Sequence, residues 1–182
     1  MADKGTDFEV DDAIVLLLGA PTESPMLRDR IEGVTRLEKL VFLIEKETRI
    51  GHLLTEEPEF VAHNFGPFSA KVYQAVDMLD AARLITDSAS LAATREDSWE
   101  TDEIIGDEPG NDYTTRDFEL TDLGRRYYRA LVGELPDGTE REVSEFKARF
   151  AGLPLRQLIR YVYTRYDEYT DKSLIRDDVL RG

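Results

Sequence analysis

The stretch at 63–85, HNFGPFSAKVYQAVDMLDAARLI, leaves this chain few choices. Proline pushes the residue before it out of the helical region, so Gly66-Pro67 reads as a turn. Two caps are available for the helix that follows: Gly66 with Pro67 at its first position, or Ser69. Val72, Val76 and Leu79 then share one face at helical spacing, with Tyr73 at its edge. Lys71, Gln74, Asp77 and Met78 lie on other faces. Leu84-Ile85-Thr86 opens a strand directly afterwards. A turn, an amphipathic helix and a strand in this order suit a helix held out for contact beside a sheet.

The strand needs a partner. Residues 116–121, RDFELT, are the natural one, because Phe118 and Leu120 alternate with polar residues. The two strands would flank a long hairpin, the wing of a winged helix-turn-helix. The predicted class is therefore α+β, mainly α. A winged helix-turn-helix domain with a two-stranded wing spans 9–133, after a frayed polar N-terminus at 1–8 and before a C-terminal helical extension at 134–182.

The flanking segments are read in the same way. A helix over 10–18 is capped by Asp11 or Asp12 and stopped by Gly19-Ala20-Pro21, and a loop follows to about residue 34. Thr35-Arg36-Leu37-Glu38 has the form of a capping box. Leu37, Leu40, Val41 and Ile44 then make one buried stripe, widened by Phe42 and Leu43. Thr121 caps a helix with Leu123, Tyr127 and Leu131 on its inner face, and Asp122 precedes Arg125 and Arg126 in a stabilising order. A second capping box at 139–142 opens a helix with Val143, Phe146 and Phe150 inward. Gly152 stops it, Pro154 opens another with Leu155, Leu158, Ile159 and Val162 at core spacing, and a short helix over 173–180 ends the chain.

Composition narrows the function classes. No cysteine is present, which excludes disulfides, thiolate metal sites and thiol nucleophiles. The longest apolar run, 13–18, falls far short of the ~20 residues a membrane span needs. The first dozen residues carry five acids, the opposite of a signal peptide's basic start, so a cytoplasmic protein without membrane contact is expected. The net charge is −15, and of 23 basic residues six are lysine and seventeen arginine. An acidic surface with lysine suppressed points to the salty cytoplasm of a halophile, where screening makes such self-repulsion tolerable.

The charge is uneven. Residues 87–112 hold nine acids and one base, whereas 121–182 hold twelve bases and eleven acids. The acidic segment would be an insertion at the wing's tip. It can be read as a solvated loop, a cation or basic-partner site, or a mimic of a nucleic-acid backbone, and Trp99 stands in it alone.

No residue pattern calls for catalysis, a metal or a cofactor: His52 and His63 have no ligand spacing, and no nucleophile or phosphate-loop motif occurs. The contact candidates are Lys71, Tyr73 and Gln74 on the 67–81 helix with Arg83 just beyond it. A duplex-DNA reader needs bases there, and this helix offers few against Asp77, Asp80 and an acidic wing. Arg125, Arg126 and Arg129 form a second candidate face. Six of the eight tyrosines lie from Tyr127 onward, and those outside the core stripe would suit a homodimer interface.

The segments TRLEKLVFLIEKE (35–47), FGPFSAKVYQAVDML (65–79), ELTDLGRR (119–126) and PLRQLIRYVYTRYDEYTDKS (154–173) resemble the YwgA-like winged-helix proteins of prokaryotes. With the acidic, lysine-poor composition, the resemblance points to a halophilic archaeal member. A looser similarity is to the Panacea (SocA-like) antitoxin domain, which shares a lysine-leucine helix and a Gly-Pro before a tyrosine-bearing helix. Two departures from that domain are the 87–112 insertion and Phe68-Ser69 after the Gly-Pro. What the resemblance implies is non-enzymatic regulation: toxin neutralisation through protein binding in the Panacea type, transcription control in many winged-helix relatives. The expected function is a regulator or adaptor that binds a protein partner, the alternative a DNA-binding transcriptional regulator using the 67–81 helix.

The charge balance makes one direct prediction. The urea midpoint of the folded chain should rise steeply with KCl, and equal midpoints in dilute buffer and molar KCl would contradict the halophilic reading.

Overall fold

A computed structural model describes residues 7–88, 90–91 and 114–181, with backbone alone at 90, 91, 114 and 115. The architecture is α+β and mainly helical, with small antiparallel sheets. In chain order the helices are α1 (Val10–Gly19), α2 (Val34–Glu47), α3 (Ile50–Leu53), α4 (Ala70–Ala81), α5 (Asp122–Glu134), α6 (Thr139–Phe150), α7 (Leu155–Arg165) and α8 (Arg176–Arg181). The strands are β1 (Arg30–Glu32), β2 (Val61–His63), β3 (Gly66–Phe68), β4 (Ile85–Asp87), β5 (Ser90–Leu91), β6 (Thr114–Thr115) and β7 (Asp117–Leu120).

Helix α1 lies at the centre. Ala13 to Leu18 are all within 2% of full burial, as befits a helix that is apolar on every side. Helices α4, α5 and α6 pack around it. The box that starts it pairs Glu9 with Asp12, two residues earlier than Asp11 in register. Its last turn carries no base, and α6 supplies one: the buried Lys147 ammonium donates to the carbonyls of Leu18 (2.6 Å) and Ala20 (3.2 Å). These are among the carbonyls that a helix leaves unpaired at its C-terminus, where positive charge is favoured.

The main sheet has the order β1-β7-β4. The expected pairing of the 84–86 and 116–121 strands is observed, with Ile85 opposite Leu120 and Asp87 opposite Phe118. Beyond it β5 pairs with β6. Strand β1 occupies what reads as loop in the sequence. Ile31 sits opposite Phe118 and is its only buried residue, so its three residues carry too little alternation to be seen alone.

Four local expectations are corrected. Gly66-Pro67 is not the turn but the start of β3, paired with β2; the chain reverses at Asn64-Phe65. Gly66 has φ +86° and its Cα lies against the Tyr163 ring, leaving no room for a side chain. Neither later capping box forms: Gly33 caps α2 and Gly138 caps α6, because Glu38 and Glu142 are drawn to partners elsewhere. On α5 the inner face is Gly124, Tyr128 and Leu131, whereas Leu123 (43% exposed) and Tyr127 (39%) face outward. Gly124 decides this rotation, since its Cα abuts the Leu84 carbonyl and admits no side chain on that face. Finally, Phe8 is buried and its amide donates to Thr55, so the chain is anchored from residue 8 rather than frayed there.

Residues of 134–181 contribute to the same apolar core as the rest. Val143, Phe146, Phe150, Leu158, Ile159 and Val162 belong to it, as their spacing predicts, and Ile175 and Val179 add the last turn. Among the described residues no helix is long and apolar enough to cross a membrane.

Burial of Lys147 has a pH signature. Loss of hydration pushes its ammonium down from 10.5 to about 8, with Asp29 opposing the shift. Between those values the unfolded chain holds a proton that the folded chain has released, so stability should rise with pH by up to about 1.4 kcal/mol per unit. Urea melts across this window should show that slope up to about pH 10 and lose most of it in Lys147→Met. A flat or falling wild-type profile contradicts the account.

Candidate functional site

Helix α4 is held by its first turn. Ser69 is the cap, its hydroxyl accepting from the Val72 amide (3.3 Å) and donating to the Pro58 carbonyl. The Ser69 amide donates to Glu38 Oε1 (3.0 Å). Next to Glu38 on α2, Lys39 is fully buried and donates to Glu38 Oε2 (3.2 Å) and the Pro67 carbonyl (2.8 Å). Burial drives the Lys39 ammonium below its ordinary value, and the Glu38 carboxylate opposes that. One buried ion pair thus joins α2, the β2–β3 hairpin and the start of α4.

The inner face of α4 is Val72, Ala75, Val76 and Leu79, three of which the spacing predicts. The sequence-predicted contact residues fall into two groups. Lys71 and Gln74 are on the outer face with Met78, which is 62% exposed. Lys71 is already engaged, bridging to Glu59 (3.0 Å) and Glu56 (3.4 Å) and donating to the Glu57 carbonyl (3.0 Å). These contacts, the Glu59 bond first, raise its ammonium above the ordinary value.

Tyr73 lies to one side in a row of rings. His63 stacks at 4.9 Å on Phe68, Phe68 at 5.4 Å on Tyr73, and the Arg116 guanidinium lies 5.9 Å from the Tyr73 centroid. Burial first, then the Glu38 charge, pushes the Tyr73 phenol up to about 12. Arg116 binds Asp77 (2.8 Å) and Asp87 (2.6 Å), clamping α4 to the β4–β7 pair. His63 therefore belongs to an aromatic contact, and among the described residues no three histidine or acidic side chains converge as a metal site would require.

The second group lies where α4 ends and α5 begins. Arg83 is exposed with φ +61°, and its carbonyl accepts from the Thr121 hydroxyl that caps α5. Arg125 is occupied by Asp122 (2.6 Å), Asp29 (3.4 Å) and the Leu120 carbonyl (3.0 Å). Arg126 and Arg129 are exposed, and among the described residues neither forms an ion pair. The structure does not bring these arginines onto the outer face that Lys71 shares with Met78. Of the acidic 87–112 segment, residue 89 and 92–112 lie outside the described residues, Trp99 among them.

Of the late tyrosines only Tyr127 is exposed, and all six are engaged within the chain. Tyr161 and Tyr166 both donate to Glu47, Tyr163 bonds Ser173, and Tyr169 packs edge-on to Phe42. Tyr127 donates to Asp12 and Tyr128 to Glu140. These bonds tie helices together.

What the sequence does not mark is a groove of about 210 Å³ between the first turn of α1 and α4. Its walls include Glu9, Val10, Asp11, Glu56, Ala75 and Met78. Glu9 is raised above the ordinary carboxyl value, by Asp11 first and then by burial, Asp12 and Glu56. Asp11 is raised by burial and by Asp12. The acids at 7–12 were visible as a run, but only the packing of α1 on α4 shows which of them meet Glu56. No protein-family model matches this chain, and no curated protein matches it.

Proposed function

We propose that the protein is a non-enzymatic winged-helix regulator or adaptor that acts by binding a protein partner through the outer face of α4. The order α1-β1-α2-α4 followed by the β4–β7 hairpin, around a sheet with β7 central, supports the winged-helix reading. In that architecture α4 is the presented helix.

The observation that carries the partner class is the state of Lys71. It is the one base on the outward side of α4, and Glu56 and Glu59 neutralise it. Arg116, which reaches Asp77 of the same helix, is likewise spent on Asp77 and Asp87. A helix that reads duplex DNA draws most of its affinity from unpaired positive charge near phosphates, and this face supplies none. Exposed Met78 instead offers the adaptable apolar contact of a protein interface. Duplex DNA is the second reading, favoured by Arg83, Arg126 and Arg129, which are exposed around the α4–α5 junction.

The two readings separate in a fluorescence-anisotropy titration of duplex genomic fragments over a KCl series. We expect no saturable binding at any salt. Alongside it, a photo-crosslinking residue at Gln74 should capture a discrete protein in the host cell that the same residue at Arg129 does not. Saturable, salt-resistant DNA binding abolished by Lys71→Glu or Gln74→Ala overturns the proposal.

A further inference from the structure

We infer that the α1–α4 groove is the docking site for a basic amphipathic helix of a protein partner. The inference rests on the proposed protein contact at α4 and specifies the chemistry of its occupant.

Two independent features define that occupant. The first is apolar. Met78 projects from α4 beside the buried Ala75 and Val10, so the groove has an apolar floor and one flexible exposed wall. A methionine left 62% exposed loses hydration cost when an apolar anchor covers it, and its unbranched chain conforms to the anchor. The second is charge. Glu9, Asp11 and Glu56 surround the same floor. Glu56 spends one oxygen on Lys71, whereas among the described residues no base pairs with Glu9 or Asp11. Their mutual repulsion is seen in the raised proton affinity of Glu9, which Asp11 chiefly causes.

Lys71 shows what this surface accepts. Its ammonium is held at one wall by two carboxylates and a carbonyl, an arrangement that a second lysine or arginine can repeat against Glu9 and Asp11. An α-helix with an apolar residue flanked by bases three or four positions away presents both features on one face. Acidic partners meet the carboxylates of Glu9 and Asp11, which no base compensates among the described residues, and are excluded.

The test is selection of a random peptide-display library on the full chain, at the lowest KCl concentration that keeps it folded. Enriched peptides should carry lysine or arginine three or four positions from an apolar residue. Their affinity should fall by about tenfold or more on Met78→Glu, a substitution at an exposed site. Glu9→Gln combined with Glu56→Gln should weaken them several-fold, while Asp137→Asn combined with Asp171→Asn, an equal charge change elsewhere, leaves them unaffected. Enriched peptides that are acidic or uncharged yet lost on Met78→Glu overturn the basic occupant and leave the protein contact at α4 standing. Equal weakening by the control pair also overturns it, since binding is then general attraction to an acidic chain. If no enriched peptide responds to Met78→Glu, the contact at α4 fails as well.

Discussion

The buried pair of Glu38 and Lys39 is the interaction on which the rest of the arrangement depends. An ammonium with 1% exposure is costly to bury, and it persists because a carboxylate and a carbonyl answer it. Glu38 neutralises it, and the Pro67 carbonyl takes a further hydrogen. The second oxygen of Glu38 accepts from the Ser69 amide, which sits at the cap of α4. Three elements distant in sequence are thus registered by one charge pair, and α4 leaves the core at an angle fixed from its first residue. Removing either partner strands a buried charge, at a cost of about 3–5 kcal/mol.

Four of the lysines act as structural cations. Of six, Lys39 and Lys147 are fully buried on backbone carbonyls, Lys71 is bridged by acids, and Lys46 lies 5.8 Å from the Phe42 centroid and 5.9 Å from Tyr169. A buried site that answers one or two carbonyls suits a compact ammonium better than a planar guanidinium. The surface cations are mostly arginines, many of them set against acids, as Arg49 is against Glu142 and Arg165 against Glu47. Among the described residues, pairing of this kind spends Lys71 and Arg116, the bases on and next to α4, on the chain's own acids.

The parts of this fold that were legible in the sequence are those decided by local periodicity. The stripe of α2, the inner face of α4, the Thr121 cap and the pairing of the 84–86 and 116–121 strands follow from spacing alone. The parts that were not legible are decided by distant partners. Glu38 fits a capping box perfectly well in sequence, yet the buried Lys39 and the Ser69 amide outcompete the helix end for it. Leu123 and Tyr127 have core spacing, but Gly124 must face Leu84 and so turns them outward. Strand β1 exists because β7 pairs with it. The candidate site was half visible: Lys71, Gln74 and Met78 were on the outer face, while the meeting of Glu9 and Asp11 with Glu56 needed the packing of α1 on α4.

The direction in which α4 presents its proposed contact face is therefore set by the core, through the bonds that hold its first turn. Native-state hydrogen exchange in the wild type and in Lys39→Met tests that dependence most directly. Protection of the Ser69 and Val72 amides should fall by an order of magnitude or more beyond any change at the Phe118 amide in β7. Equal losses at all three amides, or protection unchanged at Ser69, would contradict it.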